Sequence, residues 1–168
     1  MARARAGERD ALAVLVSRHL DDVYDAALRV LGDGELARDA AQDAFVNALR
    51  ALHRFRGEAS FRTWLLRIAV NAARTLARRT GRRREVVLDA AVDVAGEADP
   101  AAGIVLPSEA ARVARALASL PEKQRLAVTL RVYQGLAYDE IGLVAGCSAG
   151  AARVNYHLGI KRLRELLK

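Results

Sequence analysis

The sequence is poor in cysteine, proline and aromatic residues: one Cys, three Pro, one Trp and 5% aromatics in 168 residues. One cysteine cannot close an internal disulfide, so a secreted scaffold held by disulfides is excluded. No run approaches the ~18 apolar residues of a membrane span. The charged start, Met1-Ala2-Arg3-Ala4-Arg5, is followed by no apolar signal core. The expectation is a cytoplasmic protein without membrane insertion. His19, His53 and His157 are far apart, and Cys147 has no partner at metal-ligand spacing, so no metal or cofactor is expected. There is no glycine-rich phosphate loop and no Ser/His/Asp-type motif, which leaves an enzyme reading without a catalytic residue to name. What remains is 52% hydrophobic residues, with much Ala, Leu and Arg and few helix breakers. Cores must then be built from Ala, Leu and Val, and the expected class is all-α.

Charge divides the chain into three blocks. Residues 1–84 carry 17 basic and 10 acidic side chains. Residues 85–111 carry six acidic side chains and no Lys or Arg, together with Pro100, Pro107, Gly96 and Gly103. Residues 112–168 carry 10 basic and four acidic side chains. The expectation is two small helical domains, 1–84 and 108–168, joined by an acidic linker over 85–107. The linker reads either as a solvated spacer or as a segment whose acidity keeps it off DNA or fits a basic channel. The net charge of +7 and pI near 10.3 make nucleic acid or another acidic surface the natural partner.

In the first block the spacing predicts four helices. Asp10 to about Leu20 has Leu12, Leu15, Val16 and Leu20 on one side. Asp21-Asp22 is read as the start of the next, with Val23, Ala27, Val30 and Leu31 inward and Gly32-Asp33-Gly34 as its end. A third, about Glu35 to Leu52, has the stripe Leu36, Ala40, Ala44, Phe45, Ala48, Leu49 and Leu52. Its opposite face, with Arg38, Asp39, Gln42, Asp43, Asn47 and Arg50, is by itself an ordinary solvated face. Ser60 is a fitting N-cap for a fourth helix from about Phe61 to Arg79. Its expected core stripe is Phe61, Trp64, Leu65, Ile68, Ala69, Ala72 and Leu76. A separate stripe holds Arg67, Asn71, Arg74 and Arg78, continued by Arg79 and Arg82-Arg83-Arg84. Arginines suit a phosphate backbone and Asn a base edge; the plain alternative is an arginine-rich surface.

In the last block Ser108 can cap a helix to about Leu120, with Val113, Leu117 and Leu120 inward. Pro121 stands where another begins, carrying Leu126, Val128, Leu130 and Val132 to Gly135. A short helix with Ile141 and Val144 inward stops at Gly146, and Ser148 can cap a longer basic helix from about Ala149 to Leu167. Short helix, tight turn and longer helix form the helix-turn-helix pattern. Ala152, Tyr156, Gly159, Leu163 and Leu166 should pack inward. That leaves Gly150, Ala151, Arg153, Val154, Asn155, His157 and Lys161 for DNA, Arg pairing with guanine and Asn with adenine. Val154 and Leu158 are apolar yet fall outside the inward row; packing is the expected fate, with a thymine methyl or a protein partner as alternatives. Cys147 is expected to be a small packed residue, and His157 a phosphate contact or a bystander.

These residues resemble a known family. Leu36-Ala37-Arg38-Asp39-Ala40-Ala41-Gln42-Asp43-Ala44-Phe45 is similar to the polymerase-binding region of bacterial sigma factors. The stretch from Phe55-Arg56-Gly57-Glu58-Ala59-Ser60-Phe61 through Trp64-Leu65-Leu66-Arg67-Ile68-Ala69-Val70-Asn71 is very similar to the signature of the extracytoplasmic-function (ECF) sigma factors of the sigma-70 family. Leu120-Pro121-Glu122-Lys123-Gln124-Arg125, Gly135-Leu136-Ala137-Tyr138-Asp139-Glu140-Ile141 and Lys161-Arg162-Leu163-Arg164-Glu165-Leu166 resemble that family's C-terminal DNA-binding domain. The resemblance implies that Asp39, Gln42 and Asp43 dock on the clamp helices of the polymerase β′ subunit. It implies that the Arg54–Ser60 loop and the next helix hold the opened −10 strand, through Arg56, Arg62, Arg67, Asn71, Arg74 and Arg78. It implies that Ser148, Gly150, Ala151, Arg153, Asn155, His157 and Lys161 read the −35 duplex, with the other side of that domain near the β-flap. Core RNA polymerase, promoter DNA and an anti-sigma factor are the partners such a family implies, and the linker would thread toward the RNA exit path.

Departures from the family pattern are specific. Ala137 stands where Ser or Thr is usual and gives a capping box with Glu140. Ala151, Asn155 and Leu158 stand where many members carry Thr, Arg and Arg. Two rival readings have features that would reveal them. A helix-turn-helix regulator that does not replace the sigma subunit would bind paired half-sites as a dimer, and no long heptad seam is evident. An adaptor would bind polymerase without choosing promoters.

Overall fold

The structure, a computed structural model, describes residues 2–80 and 108–168; the expected acidic linker and the run Arg82–Arg84 lie outside them. The described residues form eight α-helices and one 3₁₀ turn, and no strand. The N-terminal unit holds α1 (Ala2–Arg5), α2 (Arg9–Leu31), α3 (Gly34–Ala51), the 3₁₀ turn Leu52–Arg54 and α4 (Phe61–Arg79). The C-terminal unit holds α5 (Glu109–Ala118), α6 (Glu122–Val132), α7 (Tyr138–Ala145) and α8 (Ala149–Leu166).

Local chemistry sets most boundaries. Gly32 ends α2 in the left-handed conformation at φ 66°, and the Asp33 carboxylate then caps α3 by accepting from the Glu35 and Leu36 amides. The Ser60 hydroxyl accepts from the Thr63 amide, Ser108 from Ala111 and Ser148 from Ala151, so α4, α5 and α8 each start at a hydroxyl cap. One expected boundary is wrong. Asp21-Asp22 does not start a helix; α2 runs unbroken for 23 residues. Neither Gly nor Pro interrupts it, and two acidic residues inside a helix cost little beside the packing of Val23, Ala26 and Ala27.

The N-terminal core is packed with alanine: Ala37, Ala40, Ala41, Ala44 and Ala48 of α3 are buried against Val23 and Ala27 of α2 and Leu65, Ala69 and Ala73 of α4. Small side chains let these helices approach closely. Several residues expected in the core are instead exposed: Leu20, Leu49, Val132 and Leu166. Leu49, Val132 and Leu166 lie in the last turn of their helices, and Leu20 at the end of its stripe. Cys147 is exposed as well, in the turn between α7 and α8, and is not a packed residue. Val154 and Leu158 do not pack either: they are 57% and 49% exposed.

The two units pack directly on each other. One hydrophobic cluster joins Ala26 of α2 and Leu66 and Val70 of α4 to Leu126, Ala127, Leu130, Leu136, Ile141, Val144 and Ala152 of the C-terminal unit. Leu66 and Val70 are fully buried yet lie outside the stripe expected for α4. That helix has two apolar faces, one for its own bundle and one for the other unit.

Candidate nucleic-acid interface

The N-terminal candidate face is built on α4 and the loop before it. Phe55 anchors that loop: its ring lies 5.6 Å from Phe61 and 5.2 Å from Trp64, and its carbonyl accepts from the Arg5 guanidinium. Phe61 also contacts His19 of α2, at 5.5 Å between rings. The aromatics hold the loop to the bundle, and Arg56 at its tip is exposed. Along α4, Arg67, Asn71 and Arg78 are exposed to solvent. Together they place cationic and amide groups on one surface about three turns long, suited to phosphate and base edges.

Arg62 and Arg74, expected on the same surface, are turned toward the C-terminal unit. Arg62 donates to both carboxylate oxygens of Asp22, at 2.7 and 3.0 Å, to the Gln134 carbonyl at 2.7 Å, and to the Gln134 side chain. Its hydrogen bond holds the Asp22 carboxyl below the usual carboxylate range, against the opposing effect of burial, with help from His19. The same pairing pushes the Arg62 guanidinium up, with a smaller contribution from the Glu140 charge across the interface. Arg74 pairs with Glu122 of α6 at 2.8 Å and donates to the Ala145 carbonyl at 3.3 Å.

Arg62, Leu66, Val70 and Arg74 thus form a row at steps of four, polar at both ends and apolar in the middle, all facing the C-terminal unit. Two further contacts complete the junction. The Thr63 hydroxyl donates to Glu140 at 2.7 Å and lies 2.8 Å from the Ser60 hydroxyl. The other Glu140 oxygen accepts from the Ala137 amide at 3.0 Å. The caps of α4 and α7 are therefore linked through one threonine. Arg29 of α2 stacks on the Tyr133 ring, 3.7 Å from its centre.

The C-terminal candidate face is α8 of the helix-turn-helix. Gly146 closes α7 in the left-handed conformation at φ 75°. Gly142 lets the turn fold against α7: a Cβ there would stand 2.6 Å from the Cys147 carbonyl. Ala152, Gly159 and Leu163 are buried and Tyr156 is half-buried. Ser148, Gly150, Arg153, His157 and Lys161 are exposed. Ala151 and Asn155 are half-buried, and the Asn155 amide donates to the Ala151 carbonyl at 2.8 Å, so it is engaged within its own helix. Arg153 lies over the Tyr138 ring at 5.2 Å.

Asp39, Gln42 and Asp43 share the outer face of α3 and are exposed, together with Val46. Among the described residues no cluster of metal-ligating side chains occurs, and no helix is long and apolar enough to cross a membrane.

Comparison with known proteins gives matches in both units. The family model described as Sigma-70 region 2 matches residues 15–83, and that described as Sigma-70, region 4 matches residues 110–163. The RNA polymerase sigma factor CarQ of Myxococcus xanthus is 36% identical over 167 residues, covering 99% of this chain and 95% of CarQ. The ECF RNA polymerase sigma-E factor of Escherichia coli K12 is 34% identical over 160 residues, covering 90% of this chain and 83% of that protein. Among solved structures, CnrH in complex with the cytosolic domain of CnrY is similar over 99% of this chain and 93% of that one, with a TM-score of 0.74 and 30% identity.

Proposed function

This chain belongs to the ECF sigma factors of the sigma-70 family, and from that premise we propose how its own residues divide the work of promoter selection. It is an alternative sigma factor that binds core RNA polymerase and promoter DNA and directs promoter-specific transcription initiation. The residue assignments that follow are our reading of the faces described above. Asp39, Gln42 and Asp43 on the outer face of α3 engage the β′ clamp helices. Arg56, Arg67, Asn71 and Arg78 hold the opened −10 strand, the arginines on phosphate and Asn71 on a base. Arg153, His157 and Lys161, with the Ser148–Gly150 start of α8, meet the −35 duplex, and the far side of that unit faces the β-flap. The site of action is the cytoplasm, and an anti-sigma factor is the expected regulator, as CnrY is the partner in the CnrH complex.

The observation that carries this reading is that two separate units each expose a basic helix face, while two arginines of the first unit are tied to the second. The −10 and −35 elements are centred about 25 base pairs apart, or ~85 Å at ~3.4 Å per pair. A compact chain of this length has a radius of gyration of ~15 Å and is ~40 Å across. The closed arrangement therefore cannot reach both elements. Residues 81–107 can span at most ~90 Å when extended, which is enough once the units separate. Separation frees Arg74 from Glu122, so it becomes available for the −10 strand in the state that binds promoter, whereas Arg62 gives up Gln134 but keeps its pairing with Asp22 of its own unit.

Runoff transcription with core polymerase and a promoter library, with and without this protein, tests the reading. New start sites that depend on the protein and share two spaced boxes are expected. A complex with polymerase that yields no new initiation would instead mark an adaptor.

A further inference from the structure

We propose that Val154 and Leu158 read thymine methyl groups, so that this chain selects its −35 element partly by apolar contact. The inference rests on the assignment of α8 to the −35 duplex and names the base chemistry it recognises there. The burial pattern of α8 leaves one outward row, Gly150, Arg153, Val154, His157, Leu158 and Lys161, all of them exposed. Val154 and Leu158 are 57% and 49% exposed at the centre of that row. Two of their neighbours pack on tyrosine rings. Arg153 sits over Tyr138 at 5.2 Å, and the His157 ring lies 5.3 Å from Tyr156 and 6.5 Å from Tyr138. The two aliphatic side chains are thus the prominent features of the middle of the helix.

Charge identifies what covers them. Val154 and Leu158 have Arg153 and Lys161 beside them in the row, with Arg162 and Arg164 following on the same helix, and α8 has no acidic residue before Glu165. An apolar patch set in a cationic surface matches a polyanion that itself offers apolar groups. In the major groove only thymine does so, through its C5 methyl. Asn155, the residue that would otherwise read adenine, is engaged with the Ala151 carbonyl, which leaves selectivity to Arg153 and the two aliphatic side chains. Val154 and Leu158 are one turn apart, ~6 Å along the helix, or just under two base steps. Two thymines at adjacent or next-adjacent steps fit that spacing.

The test uses holoenzyme assembled from the full chain and core polymerase, on the promoter it prefers. Each −35 thymine is replaced in turn by deoxyuridine, which removes the methyl and nothing else. Occupancy should fall about fourfold at one or two positions, the effect of one buried methyl. Val154→Ala and Leu158→Ala should each remove the deoxyuridine effect at one position, with initiation on the thymine template falling to the level that the parent shows on the deoxyuridine one. Three results would overturn the proposal: no deoxyuridine effect at any −35 position, the same effect in both variants, or a preferred −35 box without thymine. Loss of polymerase association in the variants would also overturn it and make the patch a protein contact. Failure of the sigma reading itself looks different, because the unmodified chain would then produce no start sites on any template.

Discussion

Arg153 and Asn155 stand two residues apart on α8, and both residue types are suited to base edges, but the fold gives them different positions. Arg153 is exposed on the outward row, whereas the Asn155 amide bonds to the Ala151 carbonyl. Arg153→Ala should change the −35 preference by the ~1–3 kcal/mol that an Arg–guanine pair discriminates. Asn155→Ala should leave a panel of −35 mutants ranked as before. On α4, Asn71→Ala should weaken −10 recognition with polymerase affinity unchanged; equal promoter output would refute the role assigned to it. The Asp22–Arg62 pair adds a pH dependence. Arg62 holds the Asp22 carboxyl below its ordinary value, so the pair's contribution to stability is complete above about pH 4. It is lost as the pH falls through the lowered value. Melting temperatures of the parent and of Asp22→Asn should therefore differ near neutrality and converge in acid.

At the scale of elements, the helix-turn-helix shows which local devices are present and which are missing. Its first helix, α7, lacks a side-chain cap because Ala137 offers no oxygen, yet Glu140 still accepts from the Ala137 amide. Half of a capping box is in place. Ala137→Ser should supply the other half and stabilise the protein by about 0.5–1 kcal/mol, read as a rise in the denaturation midpoint. The turn behaves in the opposite way. At Gly142 a Cβ would meet the backbone carbonyl of Cys147 at 2.6 Å. A backbone group cannot rotate aside, so Gly142→Ala should destabilise by about 1–3 kcal/mol, and −35 binding should weaken with it.

At the scale of the whole molecule, the junction between the units joins two fully buried aliphatic residues, Leu66 and Val70, to a rim of hydrogen bonds and ion pairs. Burial of each aliphatic side chain is worth ~1.5–3 kcal/mol, so the closed state is held chiefly by that middle and its polar rim fixes the register. Leu66→Glu should open the molecule. Small-angle scattering should then show a larger radius of gyration while helical content is retained, and an unchanged radius would count against the junction. The apolar middle also states what opening requires: those surfaces must find new cover when the promoter complex forms.

Much of this was legible in the chain. The all-helical class, the caps at Ser60, Ser108 and Ser148, the limits of α4, and the helix-turn-helix follow from signals within a few residues of one another. So do the exposed positions of Arg67, Asn71 and Arg153, because helical periodicity places them opposite an apolar stripe. The sequence by itself determined these features because capping and periodicity act over one or two turns. Only the tertiary structure decided where Leu66, Val70, Arg62 and Arg74 go. Their partners, Gln134, Glu122, Ile141 and Val144, are nearly fifty to eighty residues away, and no local pattern distinguishes an arginine aimed at a phosphate from one aimed at a distant carboxylate. The same holds for Val154 and Leu158: the chain shows that they are apolar, but exposure depends on which neighbouring helices reach them, and none of the described helices buries them.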